Sequence, residues 1–313
     1  MKKIPNRQVH LDFHTSEMID QVGSKFSAEE FADTLKNANV EAVTLFTRCH
    51  HGNLYYDSTK YPERIHPHLK VKDMYREQAK ECRKKGIKVY LYTTICWDIR
   101  VAAEHPEWVA IDDYARISRR ETGNIFEDPG FHVDLCINSP YREFCKEQIA
   151  DALENCPVDG VLVDASFVVE CCCPRCRKSM LEKHLNPADP QDRKKHAWQI
   201  YYDFVREMTD YLHEIDSDYD IFFNKGHVGA QDIPVRDCFD YVAVESQPAN
   251  CGYMDFPVSA RYLRTWGVPV VGMTGRFLTG WGDNNSYRNQ AALEYESFSA
   301  LSYGGLCNIG DQL

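Results

Sequence analysis

Short apolar runs alternate along this chain with longer amphipathic stretches, and the period of each tells its type. Residues 8–14 alternate strictly, with Val9, Leu11 and Phe13 on one face and His10, Asp12 and His14 on the other, the period of a strand. Ser27 then opens a helix, with Glu30 three residues on as a capping box and Phe31 and Leu35 on one face. Further strands are predicted at 42–47, 88–96, 160–165, 220–224, 241–245, 268–274 and 306–309. Between them the pattern predicts helices at 73–85, from 140 to about 155, at 179–184, 197–213, 257–266 and 291–303. Lysines and Gly86 close the first of these, and Pro140 is expected at a first helical position, where a missing N–H costs nothing.

Eight near-continuously apolar strands separated by helices indicate parallel strands covered by helices. Count and length suit a (β/α)8 TIM barrel. An open doubly wound sheet is the other arrangement, but no glycine-rich turn follows the first strand to mark a nucleotide site. With no repeat, low-complexity tract or linker, residues 1–313 read as one catalytic-type barrel domain. The sequence stops straight after the eighth strand, without its helix, which suggests the front part of a longer polypeptide. An apolar seam beside strands one and eight would then favour association into a homo-oligomer.

Composition narrows the picture further. Of 313 residues, 43% are hydrophobic and 27% charged, an ordinary globular mix. Thirty-six basic residues against 47 acidic give a net charge of −11, which argues against a nucleic-acid or anionic-membrane partner. No apolar stretch has the length of a membrane span, and the first residues lack a signal peptide's apolar core. The 13 cysteines are odd in number and lie inside predicted elements, as reduced thiols would. The expected setting is a reducing, bacterial cytoplasm.

In such a barrel chemistry gathers where strands end, and polar residues collect there. Strand two ends in Cys49-His50-His51, strand three in Trp97-Asp98 and strand four in Asp164; strand five ends in Asn224-Lys225 and strand six in Glu245. Thr274 and Arg276 follow strand seven, and Asn308 and Asp311 lie at strand eight. Burying so many polar groups without partners would cost several kcal/mol, so a site is the economical explanation. Two chemistries could use it. In glycoside hydrolysis, Asp164 and Glu245 would face each other across the mouth as the two required carboxyls. Here His10, Asp12, His14, His50, His51, Asn224 and Arg276 would hold hydroxyls, while Trp97, Tyr55 or Tyr56 stacked on the sugar. In metal-dependent hydrolysis, His10, Asp12 and His14 would be joined by His50 or His51 and Asp311 as ligands. Structural roles stand beside these: Asp164 as a strand-end cap, Glu245 paired with Arg276 or Lys225, and the tyrosines as core. A barrel that binds carbohydrate without turning it over is a further alternative.

Cys171-Cys-Cys-Pro-Arg-Cys176 contains a single Cys-x-x-Cys, from Cys173 to Cys176. Structural zinc takes four ligands. Cys171, Cys173 and Cys176 are candidates, and Cys171 or Cys172 with His184 could complete a local set around the Cys-x-x-Cys. Reduced thiols in a tight turn are the alternative.

The segment Thr47-Arg-Cys-His-His-Gly-Asn-Leu-Tyr-Tyr-Asp-Ser58 resembles the α-L-fucosidases of glycoside hydrolase family 29, whose second strand ends in a His-His pair. Val158-Asp-Gly-Val-Leu-Val-Asp164 is similar to the stretch that ends in that family's nucleophilic aspartate. Over nearly its whole length, including the cysteine run and Asn308-Ile-Gly-Asp-Gln312, the chain looks still more like the hypothetical glycosyl hydrolase 6 group, linked to family 151 α-L-fucosidases. The resemblance implies a glycosidase on a TIM barrel that needs no cofactor, with Asp164 as nucleophile. His50 and His51 would bind fucose hydroxyls, with Trp97 and His14 in the same pocket. It also implies continuation into a family 42-type trimerisation domain. Gly52 and Asn53 replace an Asp-Gly of the family 29 motif, so the sugar need not be fucose. The acid/base assignment to Glu245 comes from strand-end geometry alone. A retaining mechanism expects the two carboxyls about 5–5.5 Å apart and a raised pKa at Glu245.

Overall fold

In the computed structural model, residues 3–118, 132–154, 156–283 and 286–313 are described. Eight parallel strands form one sheet: β1 Arg7–Asp12, β2 Ala42–Phe46, β3 Lys88–Thr94, β4 Gly160–Asp164, β5 Asp220–Phe223, β6 Val242–Glu245, β7 Val270–Gly275 and β8 Leu306–Gln312. Their order is β5-β4-β3-β2-β1-β8-β7-β6, so first and last strands pair and the sheet curls into a (β/α)8 barrel. At the seam between β5 and β6, Asp240 takes the place of a ladder. Its carboxylate accepts from the Ile221 N–H at 2.9 Å, and its own N–H donates to the Ile221 carbonyl at 3.1 Å.

The helices are α1 Ala28–Asn37, α2 Met74–Lys84, α3 Ile99–Glu104, α4 Tyr141–Leu153, α5 Pro174–Glu182, α6 Pro190–Ile215, α7 Pro248–Cys251, α8 Asp255–Leu263 and α9 Gln290–Ser302. Local chemistry starts them. Ser27 caps α1 by accepting the Glu30 N–H, and Asp98 caps α3 by accepting the Val101 N–H at 2.9 Å. Several boundaries differ from the sequence pattern. Pro140 is the cap residue of α4 rather than its first helical residue. The helix expected at 179–184 begins earlier, at Pro174, because Cys173 is extended and proline is preset for a first turn. Asp189-Pro190 likewise starts α6 ahead of 197. The β5–β6 connection is not an α-helix but the 3-10 segment Ala230–Cys238, with Pro234 inside. Among the described residues no helix is long and apolar enough to cross a membrane.

Alternation along the strands sorts the side chains. On β1, Gln8, His10 and Asp12 are buried in the barrel, while Val9, Leu11 and Phe13 pack outward against the apolar layer beneath the helices. On β3, Tyr90 and Tyr92 are buried; Tyr90 donates to the Asp220 carboxylate at 3.0 Å. The carboxyl end of the strands is therefore the end where polar groups are left facing open space.

Candidate active site

A cavity of about 370 Å³ opens at this end, within the range of small-molecule sites. One wall comes from β1, β2 and the turns after them. His10 Nε2 is 3.1 Å from Asp12 Oδ1, and the ring meets Phe46, Tyr92 and Trp281 edge-on. Its Nδ1 is buried without a protein partner. His14, just past the end of β1, stacks on His50 with centroids 4.2 Å apart. The Thr94 hydroxyl donates to the Trp97 carbonyl at 3.2 Å and lies 2.8 Å from His50 Nδ1. The Thr94 hydroxyl thereby fixes the His50 ring at Nδ1 and leaves Nε2 on the side of the cavity that holds Asp164. Burial drives both rings toward neutrality, His14 down to about 4 and His50 well below its ordinary value, with their mutual repulsion adding at His50.

Arg48, fully buried, anchors this wall from behind. Its guanidinium donates to Asp98 at 2.7 Å and to the Thr94 carbonyl, fixing the β3 end that orients His50. Gly52 belongs to the same support. Its φ is +82°, and a Cβ there would lie 2.4 Å from Asp98 Oδ1, so no larger residue fits without moving that carboxylate.

The opposite wall carries the carboxyls. Tyr92 donates to Asp164 Oδ2 at 2.5 Å, and Asn224 Nδ2 donates to Asp164 Oδ1 at 2.8 Å. The same Asn224 nitrogen lies 3.3 Å from Glu245 Oε1, so the two bonded oxygens are at most about 6.1 Å apart. Burial raises both carboxyls. Glu245 reaches about 7 from burial and then from the charge of Asp164. At Asp164, hydrogen bonds from Tyr92, the Ala165 backbone and Asn224 work against burial, although the net direction is still upward. His50 Nε2 stands 3.8 Å from Asp164 Oδ2, joining the two walls.

Trp97, His132 and Phe167 close one side of the mouth, with Trp97 4.5 Å from His132 and 4.7 Å from Phe167 between centroids. Trp281 closes the other. A Cβ on Gly310 would sit 2.2 Å from the Trp281 ring, so only glycine lets the indole settle over β8 beside His10.

The cavity thus brings together His10, Asp12, His14, His50, Trp97, Asp164, Asn224 and Glu245. Two expected residues are elsewhere. Arg276 is drawn to Asp311 on β8 at 2.7 Å and lies over Tyr287, outside the cavity. His51 is not among the cavity-lining residues either; its neighbour His50 takes the inward place. Glu245 pairs with neither Arg276 nor Lys225, whose ammonium goes to Asp232 at 2.8 Å. Tyr55 and Tyr56 are core, bonded to Thr15 and Asp151. The metal alternative on β1 has no shared focus. Among the described residues, the set whose donor atoms converge is Cys136, Cys171, Cys173 and Cys176. Cys172 is turned elsewhere and His184 is not in the set; Cys136, on another loop, is the fourth member. His132, Phe167, Met273 and Trp281 also line the cavity, and Tyr92 serves it through its bond to Asp164, without having been singled out. Tyr-x-Tyr-x-Thr on β3 and Gly280-Trp-Gly282 were visible signals for two of them; the loop residues offered none.

The family model described as hypothetical glycosyl hydrolase 6 matches residues 27–165. Alpha-L-fucosidase isoenzyme 2 from Paenibacillus thiaminolyticus is 33% identical and superposes with a TM-score of 0.91, covering 99% of this chain and 46% of that one. The present chain therefore spans about half of that protein's length. The β-galactosidase from the psychrophilic Marinomonas ef1 is 13% identical with a TM-score of 0.67, covering 97% of this chain and 54% of that one. A family 29 α-L-fucosidase from Bacteroides thetaiotaomicron is 15% identical with a TM-score of 0.55, covering 93% and 56% respectively. These two likenesses are of fold. No curated protein sequence gives a match. The chain thus carries the hypothetical glycosyl hydrolase 6 pattern over residues 27–165, on a barrel it shares with α-L-fucosidases.

Proposed function

We propose that this barrel is the catalytic domain of a retaining glycosidase acting on a terminal sugar, of the α-L-fucosidase type. The observation that carries the proposal is the pair Asp164 and Glu245, bridged by one Asn224 nitrogen with bonded oxygens at most about 6.1 Å apart. That separation supports nucleophile and acid/base in contact with one anomeric carbon, since inverting enzymes hold their carboxyls about 6.5–9.5 Å apart to admit a water. The relative from Paenibacillus thiaminolyticus, by its name an α-L-fucosidase, supports the sugar class.

The roles follow from the environments. Asp164 accepts hydrogen bonds from Tyr92 and Asn224, which favour its ionised, nucleophilic form. Glu245, raised to about 7, still carries its proton in about half of the molecules at neutral pH. Asp164 attacks the anomeric carbon as the glycosidic C–O bond breaks, and the Glu245 proton goes to the departing oxygen. Glu245, now ionised, takes a proton from water, whose oxygen attacks the same carbon and releases Asp164. His10, Asp12, His14 and His50 supply acceptors and donors for sugar hydroxyls, and Trp97 and Trp281 offer apolar faces.

The test is turnover of aryl glycosides, led by an α-L-fucoside, by wild type and Asp164→Ala. The expected loss is at least about 10³-fold in kcat/KM, or about 4 kcal/mol of transition-state stabilisation. Sugar binding by wild type without turnover would instead indicate a carbohydrate-binding barrel.

A further inference from the structure

Away from the carboxyl pair, the loop that follows β3 and the loop that follows β4 meet at a small buried cluster separate from the main core. It consists of Ala110, Met180 and four cysteines, Cys136, Cys171, Cys173 and Cys176. The four sulfurs all lie within 4.8 Å of one another, with Cys136 Sγ 3.5 Å from Cys176 Sγ and 3.9 Å from Cys173 Sγ. Four thiolates at the usual zinc–sulfur distance of about 2.3 Å, arranged tetrahedrally, would have sulfurs about 3.8 Å apart. A disulfide needs about 2.05 Å and joins only two of the four.

We propose that these cysteines form a tetrahedral site for one structural zinc ion, which clasps the β3 and β4 loops together as a wall of the cavity. Three further features fit such a site. Cys173 is extended and caps α5, with Cys176 in its first turn, so the N-terminal end of the helix faces two of the thiolates and stabilises their charge. The Cys173 N–H points to Cys171 Sγ at 3.4 Å, and the Asn138 amide to Cys176 Sγ at 3.6 Å, N–H···S contacts that support thiolate ligands. An all-sulfur, fully buried set without histidine or carboxylate closes the coordination shell. That is the structural type of site rather than one with an open position for chemistry.

What the clasp holds is visible in the contacts on either side. Cys136 lies two residues from Asp134, which accepts from Trp97 Nε1 at 3.0 Å, and four from His132. Cys171 lies four residues from Phe167, which packs on Trp97. Hydrogen bonds also join the two loops, from the Cys172 N–H to the Ile111 carbonyl at 2.7 Å and from Arg175 to the Glu107 carbonyl at 3.0 Å, and the metal would add four bonds to them. The aromatic side of the mouth is thus built on two loops that the metal joins, whatever molecule the cavity takes.

The experiment uses the whole chain, purified without chelator. Native mass spectrometry and elemental analysis are expected to find one zinc per chain, and Cys136→Ser and Cys173→Ser are expected to lose it, whereas Cys251→Ser, at an exposed distant thiol, keeps it. Cobalt exchanged into wild type should give the thiolate-to-metal charge-transfer absorption of a four-sulfur site. This reading decides the matter even if the cysteine variants fail to fold. Removal of the zinc should raise amide hydrogen exchange at least about tenfold in residues 132–138 and 165–173 and leave β1 and β8 unchanged. Iron in place of zinc, a Cys136–Cys176 disulfide, or wild type that binds neither zinc nor cobalt would overturn the site. Unchanged exchange in both loops would overturn the clasp.

Discussion

The two walls of the cavity bury ionisable groups to a similar degree, and burial acts on them in opposite senses. On the β1–β2 wall it strips protons, so that His14 falls to about 4 and His50 falls well below its ordinary value. On the β4–β6 wall it adds them, and Glu245 rises to about 7. Both responses remove charge, because a low-dielectric site penalises whichever form is ionised. Asp164 differs from the rest in its partners. Tyr92 and Asn224 donate to it directly, so it is the group the site is best built to keep charged. The histidine wall therefore offers neutral hydrogen-bonding groups, and the carboxylate wall offers one proton and one negative charge.

Removing the proton donor should separate the walls most clearly. In Glu245→Gln, kcat/KM for substrates with poor leaving groups is expected to fall about 10²–10⁴-fold. Activated aryl glycosides, whose leaving oxygen needs little protonation, should still give a burst followed by slow turnover, visible by stopped-flow. An equal loss on both substrate types would place the acid elsewhere.

The pH profile sharpens the same contrast. In the proposed role Glu245 is an acid only while protonated, so kcat/KM should fall tenfold per unit as pH rises above about 7. The Asp164 charge raises the Glu245 pKa, and Asp164→Asn should therefore lower it, as followed by NMR titration of the Glu245 carboxyl. A Glu245 midpoint unmoved in that variant would show that the Asp164 charge does not set it.

The smallest effect is expected on the other wall. His50→Gln should keep a hydrogen-bonding group but lose the fixed position of Nε2, raising KM about 5–30-fold, or roughly 1–2 kcal/mol, with the basic limb of the profile in place. A collapse of kcat with KM unchanged would move His50 into the chemistry.

Much of this site was legible in the residues before the fold. Asp164, Glu245 and Asn224 each stand at the end of a short apolar strand, and barrel closure brings strand ends together. The misplacements have a shared cause. His50 and His51 are adjacent in a turn closed by the Gly52 N–H on the Cys49 carbonyl at 2.9 Å, and only His50 lines the cavity. Arg276 follows β7 directly, but Asp311 on the neighbouring strand captures its guanidinium. At the cysteines, spacing exposed three of the four, because Cys171, Cys173 and Cys176 share a turn.

The sequence by itself determined most of the element types, the inward face of the first strand and most of the polar residues delivered to one end of the barrel. Those properties depend on side-chain period and caps, which are local. Only the tertiary structure decided that a single Asn224 nitrogen bridges two carboxyls, that Gly310 makes room for Trp281, and that Cys136 joins a turn on a different loop. Such contacts depend on distances between segments far apart in the chain. Packing sets those distances, and no local pattern encodes them.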